Sequence, residues 1–471
     1  MFRKKPVKLG VCPIGKFAFS HEDAVAQKKK LFGKLDALGI NYVALEGVLP
    51  DGMVRKVEDV ETVVRYFTQN PVDAVFLPHC NFGTESAVGL IPKKLGLPAL
   101  LWGPRDDAPF ADGSRLRDSL CGCFASSKVL NTLGVNYEYI ENSRVDDEVF
   151  VKGITDFISA IRVAKSLKTA RIGQIGMRID FFWSTIVDEA DLLRKFDVEV
   201  FPFDMVEFIQ RFKNRFNKRE AAYKAELRDL SKLVEYGPAH ENGALLSLAM
   251  RDEMFEMAET HQIDAFALQS FSSIQDATGE GSGLGIALAE EKIPVSAETD
   301  IHGAISSILA EAAAGDGYPS FFPEFTIRHP ENDNAVLLWH ASAPLSFMHP
   351  KTGRAKILAP WILKNLPATS LQFRVKDGDL TVCRFDGSGG DYVLGVGEGR
   401  TVDGPDTREV YCWMESDNWP AWEKKLIKGP YVHHCSAVYG KCAAILENSA
   451  KYIPFMRIER FGEMIERCST C

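Results

Sequence analysis

The chain has 471 residues, 46% of them apolar and 25% charged, with a net charge of −9. That length exceeds one compact core and fits about three domains at the usual ~100–200 residues each, and the composition is that of a folded globular protein rather than a disordered one. A mildly acidic surface without a basic stripe or polybasic run argues against nucleic acid and anionic membranes as partners.

The opening MFRKKPVKLGVCPIG turns at once from basic residues to a strand-like stretch, without the apolar run of a signal peptide. No window approaches the roughly 20 apolar residues that span a bilayer, so a cytoplasmic location is expected. Ten cysteines at this length do not make a disulfide-dense scaffold. Cys121 and Cys123 stand too close together for ordinary chelation, and the Cys468/Cys471 pair lacks the second CxxC or CxxH of a zinc site.

From Val7 onward short apolar runs alternate with amphipathic stretches: KLGVCPI, a helix over Glu22 to Leu38, NYVALEG, a helix over Glu58 to Phe67, DAVFLPH, then Pro98 to Trp102. Short strands separated by longer helices read as βαβ units on a parallel sheet, so residues 1–166 are expected to form a doubly wound α/β domain. A second round runs over 167–316, through RIGQIGMRI, DVEVFPF, a charged helix around Lys218 to Tyr236, IDAFALQ and KIPVSAE. After Gly317 the pattern changes to β-type segments broken by Gly and Pro, NAVLLWHAS, SLQFRVK, DLTVCRF and YVLGVGEG, closed by a helix near Gly440 to Glu447. Residues 317–471 therefore read as a β-rich third domain.

The glycine run at 279–285 follows an expected strand and precedes an expected helix at Leu284 to Glu291. A dinucleotide fingerprint needs that loop directly after the first strand of its fold. Nine mostly polar residues separate Gln269 from the first glycine, which favours a turn into the helix.

Four potential metal ligands gather in the C-terminal third. Glu298 ends PVSAE, Glu324 follows SFFP, His340 ends NAVLLW and His434 stands in YVHHCSAVYG. Three of them fall at the carboxyl end of an apolar strand or just past a turn, where side chains of α/β enzymes project into a cleft.

AETDIHGAIS at 297–306, SFFPEF at 320–325, NAVLLWHASAP at 334–344 and HHCSAVYGK at 433–441 resemble, in order and spacing, the signature segments of the L-fucose isomerase and L-arabinose isomerase superfamily. GPRDDAPFADGSRLRDSLCG at 103–122 resembles the N-terminal domain of the same proteins. The resemblance implies two α/β domains followed by a β-rich one, and an aldose–ketose isomerase. Glu298 and Asp300 fill the two acidic places of the first motif, Glu324 the acidic place of the second, and His340 with Pro344 the third, where Ala341 replaces a common Cys. In the fourth motif the ligand is the His six residues before a Gly, which selects His434 over His433.

By this likeness Glu298, Glu324 and His434 hold a divalent ion, Mn²⁺ or else Mg²⁺ or Co²⁺, with His340 and Asp300 as further ligands or orienting groups, and the two glutamates also share the acid and base work. The chemistry asks for this: moving a proton between C1 and C2 builds an enediolate whose two oxygens need charge stabilisation, and oxygen-rich donors with an imidazole suit such ions. The superfamily also implies a homo-oligomer, trimer or hexamer, with sites completed by a neighbour's 103–122 segment.

Substrate contacts are expected from Gln269, Trp102, Phe182, Trp183 and Asp300, with Arg105, beside Arg115 and Arg117, as a cationic partner should the sugar be sulfonated, as in sulfoquinovose. Helix capping by Gln269, core packing of the aromatics and surface solvation of the arginines are the competing accounts. From another class, a non-enzymatic hinged sugar binder also fits two doubly wound domains.

Overall fold

The computed structural model describes residues 5–462 apart from 238–239, 271, 316 and 362–369. The Cys468/Cys471 pair lies outside the described residues, and the eight described cysteines are free thiols. The chain divides into two compact units, Lys5–Lys165 and a second one starting at Ser166.

In the first unit five parallel strands stand in the order Tyr42–Val43, Leu9–Val11, Ala74–Pro78, Ala99–Trp102, Tyr137–Tyr139. The order reverses beside the first strand in the chain, which makes the sheet doubly wound. Ala74–Pro78 and Ala99–Trp102 are buried at every position, as near-continuous apolar strands in a sheet covered on both faces must be. Val75, Leu77 and Leu101 pack with residues of the helices Glu85–Leu95 and Ser119–Thr132. Phe76 and Trp102 point the other way, onto Phe150 of the helix Glu148–Lys168.

The second unit begins with another parallel sheet, in the order Val295–Ser296, Ala265–Leu268, Arg171–Ile175, Glu199–Phe203. It continues into a ten-stranded mixed sheet. There Asp379–Ser388, Asp391–Val402 and Val410–Ser416 form an antiparallel meander. Ser436–Tyr439 joins one side of the meander, while Ala335–His340 pairs with Val410–Ser416 and Glu324–Arg328 pairs with Ala335–His340. The α/β and β-rich classes read from the sequence are thus both present. The helix Ile301–Ala314 is buried along nearly its whole length and touches strands of both sheets, the environment that an all-round apolar helix requires.

Some local expectations need correction. The charged helix ends at Leu230 instead of running to Tyr236, because Val234–Glu235 pairs in parallel with Ala355–Leu358 and buries Val234 beside Ala355 and Leu371. Pairing with a distant strand here outweighs helical pattern. The last helix among the described residues runs Ala443–Ala450, and a further helix, Trp419–Lys428, was not anticipated. The glycine run follows a helix, Ser273–Thr278, rather than a strand; Gly279 caps it at φ 72°, and Gly283–Glu290 follows as a second helix. Among the described residues no helix is long and apolar enough to cross a membrane.

Two glycines of the first unit test this packing in opposite directions. A Cβ at Gly122 would lie 1.7 Å from the Phe82 carbonyl oxygen, a backbone atom that cannot swing aside. Gly122→Ala should therefore cost about 3 kcal/mol or more in a urea melt. Gly33 lies inside the helix His21–Ala37, and a methyl group added there would meet nothing within 4 Å. Gly33→Ala should raise stability by ~0.5–1 kcal/mol in the same measurement.

Candidate metal centre

Three stretches of backbone, distant in sequence, meet at one point of the second unit. The strand Val295–Ser296 ends in Ala297, and the chain then turns through Glu298 and Thr299 at φ 60° and 55° before Asp300 starts the helix Ile301–Ala314. Two successive non-glycine residues in the left-handed region are costly and persist only where the surroundings impose them. Here the Thr299 amide donates to the Leu268 carbonyl at 3.0 Å, the Glu298 amide to Ser270 Oγ at 3.3 Å, and Asp300 Oδ1 accepts from the Gly303 amide at 2.8 Å.

Glu324 opens its strand opposite His434 in an antiparallel bridge, with the Phe325 amide donating to the His433 carbonyl and the Cys435 amide to the Pro323 carbonyl, each at 2.9 Å. Cross-strand neighbours of this kind bring their Cβ atoms within about 5 Å, so the pairing itself presents both side chains to one point.

The donor atoms converge. One ligand atom each of Glu298, Glu324, His433 and His434 lies within 4.8 Å of the others. His434 Nε2 is 3.2 Å from Glu298 Oε2 and 3.8 Å from Glu324 Oε1, and His433 Nε2 is 3.8 Å from the same Glu324 oxygen. Glu298 Oε2 and His434 Nε2 are buried and meet no hydrogen-bond partner among the described residues, although they face each other. Orphaned buried donors of this chemistry, carboxylate oxygen plus imidazole nitrogen, fit a divalent cation that prefers hard ligands.

His434 Nδ1 lies 2.9 Å from Asp300 Oδ2, so the far nitrogen is occupied and Nε2 is the one turned to the cluster, the arrangement that orients ligating histidines. Asp300 is fully buried and paired with Arg384, which is bound in turn by Asp386, and Asp386 Oδ1 is 3.2 Å from His302 Nδ1. With its oxygens taken by the Gly303 amide, His434 and Arg384, Asp300 is enclosed. The expectation that it contacts substrate is corrected on that ground.

Electrostatics differ sharply among these groups. Burial alone would favour the neutral acid at Asp300, but the Arg384 and His434 charges overcome it and hold the carboxyl far below the ordinary range. Burial raises Glu324 to about 7, with His434 pulling it down and the Glu298 and Glu409 charges pushing it up. For His434 burial opposes the charge, yet Asp300 and Glu298 prevail and lift it to about 9. Burial depresses His340 to about 3 and His433 to about 4, in both cases with help from His434.

A cavity of about 310 Å³ opens on the cluster, lined among others by Phe182, Glu298, Glu324, Trp339 and His340. His340 is outside the four-atom group; its ring centroid is 6.1 Å from that of His434 and its buried Nε2 has no partner among the described residues. Trp183 is 76% exposed. Gln269 is half-buried and accepts from Ser273 Oγ at 2.6 Å, a bond between side chains rather than a cap on the helix Ser273–Thr278. In the first unit Trp102 is enclosed against Phe150 with its indole N–H donated to Ser143 Oγ at 3.1 Å, which is core packing. Arg117 is buried among Asp23, Asp106 and Asp107, and Arg115 pairs with Asp118, whereas Arg105 is exposed. Sequence reasoning set His433 aside in favour of His434 and did not single out Arg384 or Glu409. The doubled His and the charges inside the apolar alternation of DLTVCRFDG were the available signals for the first two.

Residues 10–168 match the N-terminal domain of fucose/sulfoquinovose isomerases, and residues 343–459 match the L-fucose isomerase C-terminal domain. The sulfoquinovose isomerase of Priestia aryabhattai is 23% identical over 395 residues, covering 83% of this chain and 84% of that protein. That of Alkalicoccus urumqiensis is 22% identical over 366 residues, 76% of each chain. The chain belongs to the fucose isomerase-like family. It is a sugar isomerase of the aldose–ketose class, which sets aside the non-catalytic binder.

The raised groups give the site a pH signature. Glu324 titrates near 7 in the fold against 4.5 for an ordinary Glu, and His434 near 9 against 6.5. Both bind protons more tightly when folded, so each contributes stability that is full below the ordinary value and lost as pH rises through the folded one. His340 and His433, depressed to about 3 and about 4, act in the opposite direction below their ordinary value of 6.5, so chelator-treated protein should lose urea stability between about pH 7 and pH 9, where the raised Glu324 and His434 prevail. Saturating Mn²⁺, which selects the proton-free donors, should flatten or reverse that slope. A metal-independent pH profile would count against the cluster as a cation site.

Proposed function

We propose that this protein interconverts an aldose and its ketose through a cis-enediolate, with a divalent cation held by Glu298, Glu324 and His434. The observation that carries this reading is the meeting of the two carboxylates with His434 at the wall of a sugar-sized cavity that Glu298 and Glu324 line. Mn²⁺ is the favoured ion, with Mg²⁺ and Co²⁺ as lesser choices, since carboxylates with imidazole suit Mn²⁺. When bound, such an ion supplies positive charge to the oxygens on C1 and C2.

The protein's own groups do the rest. Glu324 has two carboxylate oxygens, so one can hold the cation while the other exchanges a proton with the sugar. Glu298, across the cluster, is the second member of the proposed acid/base pair, each glutamate handling the proton at one of the two carbons. Asp300 fixes the ring of His434, and Phe182 with Trp339 walls the cavity with apolar surface suited to the C–H face of a sugar.

Because the relatives are named for sulfoquinovose, that sugar is the first to try, followed by fucose- and arabinose-type aldoses. A sulfonate calls for a cation, and Arg105 is the exposed candidate in the 103–122 segment. We further propose a trimer or hexamer in the cytoplasm in which this segment serves a neighbour's site, and a chain organised as three domains, 1–166, 167–316 and 317–471.

Exhaustive chelation should abolish ketose formation from these aldoses, and Mn²⁺ should restore it best. At saturating Mn²⁺, Glu298→Gln and Glu324→Gln should each lower turnover by ~10²–10⁴ and suppress exchange of the C1/C2 proton with solvent. His434→Asn should act mainly through metal affinity, so added Mn²⁺ recovers part of its activity. Near-normal exchange in both Glu variants would reduce the carboxylates to ligands alone.

A further inference from the structure

Glu409 is a third carboxylate lining the cavity with Glu298 and Glu324, near enough for its charge to act on Glu324. It is 2% exposed, and its Oε2 is buried with no hydrogen-bond partner among the described residues. The Ser370 hydroxyl also lines the cavity and is buried beside the Glu409 carboxylate, which it holds toward the ionised form. A buried carboxylate oxygen left without a partner at a cavity wall costs free energy unless a ligand supplies the missing hydrogen bond.

The backbone shows that this placement is imposed. Glu409 has φ 71°, in the left-handed region where a non-glycine residue is strained. Gln372 clamps it from both sides: its Oε1 accepts from the Glu409 amide at 2.8 Å, and its Nε2 donates to the Glu409 carbonyl at 3.2 Å and to the Thr407 carbonyl at 3.1 Å. Trp339, another wall of the cavity, donates its indole N–H to the Arg408 carbonyl at 2.8 Å. Directly after Glu409 the strand Val410–Ser416 begins, with Val410 paired to His340. The strained turn is thus pinned on each side, and the result is a carboxylate turned to the cavity.

We propose that Glu409, with Ser370, is a sugar-binding and specificity-determining pair, in which the free carboxylate oxygen accepts a hydrogen bond from a substrate hydroxyl beyond the reacting C1 and C2. Ser370 Oγ, able to donate and accept, engages the same hydroxyl or the next one. A buried site built to pair with a hydroxyl discriminates strongly against an analogue lacking it, because the protein group is then left unpaired. Burial also favours the neutral acid at Glu409, with Ser370, the Trp361 amide and the Arg408 charge opposing. The ligand class is a polyhydroxylated chain with a hydroxyl at that place, and the pair disfavours an anionic substituent there.

This inference rests on the cavity being the sugar site, and binding separates it from catalysis. Calorimetry of Mn²⁺-loaded protein with pentitols and hexitols, which cannot isomerise, and with their mono-deoxy forms, gives the affinities. In the wild type one deoxy position should weaken binding by about tenfold or more, and in Glu409→Ala that penalty should vanish while Mn²⁺ affinity holds. Ser370→Ala should lose a smaller part of it. Glu409→Gln, which keeps the volume, should show an intermediate loss at the same position and serves if the Ala variant does not fold. Wild-type protein that binds no alditol, or a deoxy penalty that survives in the Glu409 variants, overturns the assignment. Protein that shows the Glu409-dependent penalty but converts no aldose keeps it and overturns the isomerase mechanism instead.

Discussion

Asp300 carries a charge that the interior of this protein must answer. A carboxylate with no exposed surface is stable only if opposite charge and hydrogen bonds surround it, and here Arg384, His434 and the Gly303 amide do so. Each of these comes from a different element: Gly303 from the first turn of the buried helix, Arg384 from the meander, His434 from the segment before Ser436–Tyr439. One side chain thereby ties the helix to the large sheet and fixes which nitrogen of His434 faces the cluster. The network continues through Asp386 to His302, in the first turn of the helix that Asp300 caps, so the helix is held at two points.

Such a network is a poor source of net stability, since desolvating several ions costs about as much as their attraction returns. Its consequence is geometric. Removing any one member leaves a buried charge uncompensated, so alternative packings of the helix against the sheet are strongly disfavoured. The same logic explains the strained backbone at Glu298, Thr299 and Glu409. Rigid neighbours, the Leu268 carbonyl in one case and the Gln372 amide in the other, over-determine those turns, and the strain held there serves to aim carboxylates.

Legibility in the sequence followed the range of the interactions involved. Strands such as AVFLP and ALLW announce themselves because burial on both faces demands uninterrupted apolar residues. The helix that stops at Leu230 and the strand at Val234–Glu235 did not, because that strand exists only through its pairing with Ala355–Leu358, more than a hundred residues away. Among site residues, Glu298, Glu324 and His434 were legible through four motifs in a familiar order. His433 was set aside on spacing, although its ring nitrogen reaches the same Glu324 oxygen as His434. Trp102 resembled a cleft aromatic because it ends a strand, yet pleating turned it inward onto Phe150.

The amino-acid sequence by itself determined the succession of two α/β rounds and a β-rich segment, since period and apolar run length are local properties of the chain. Motif order also brought Glu298, Glu324 and His434 forward as candidate ligands, while His433 was set aside. Only the tertiary structure decided that Glu324 stands across a bridge from His434, that Asp300 is an enclosed partner of that histidine, and that Glu409 turns into the cavity. The reason is physical: these facts depend on strand register and on the neutralisation of buried charge by residues far along the chain. Neither leaves a periodic trace in the residues nearby.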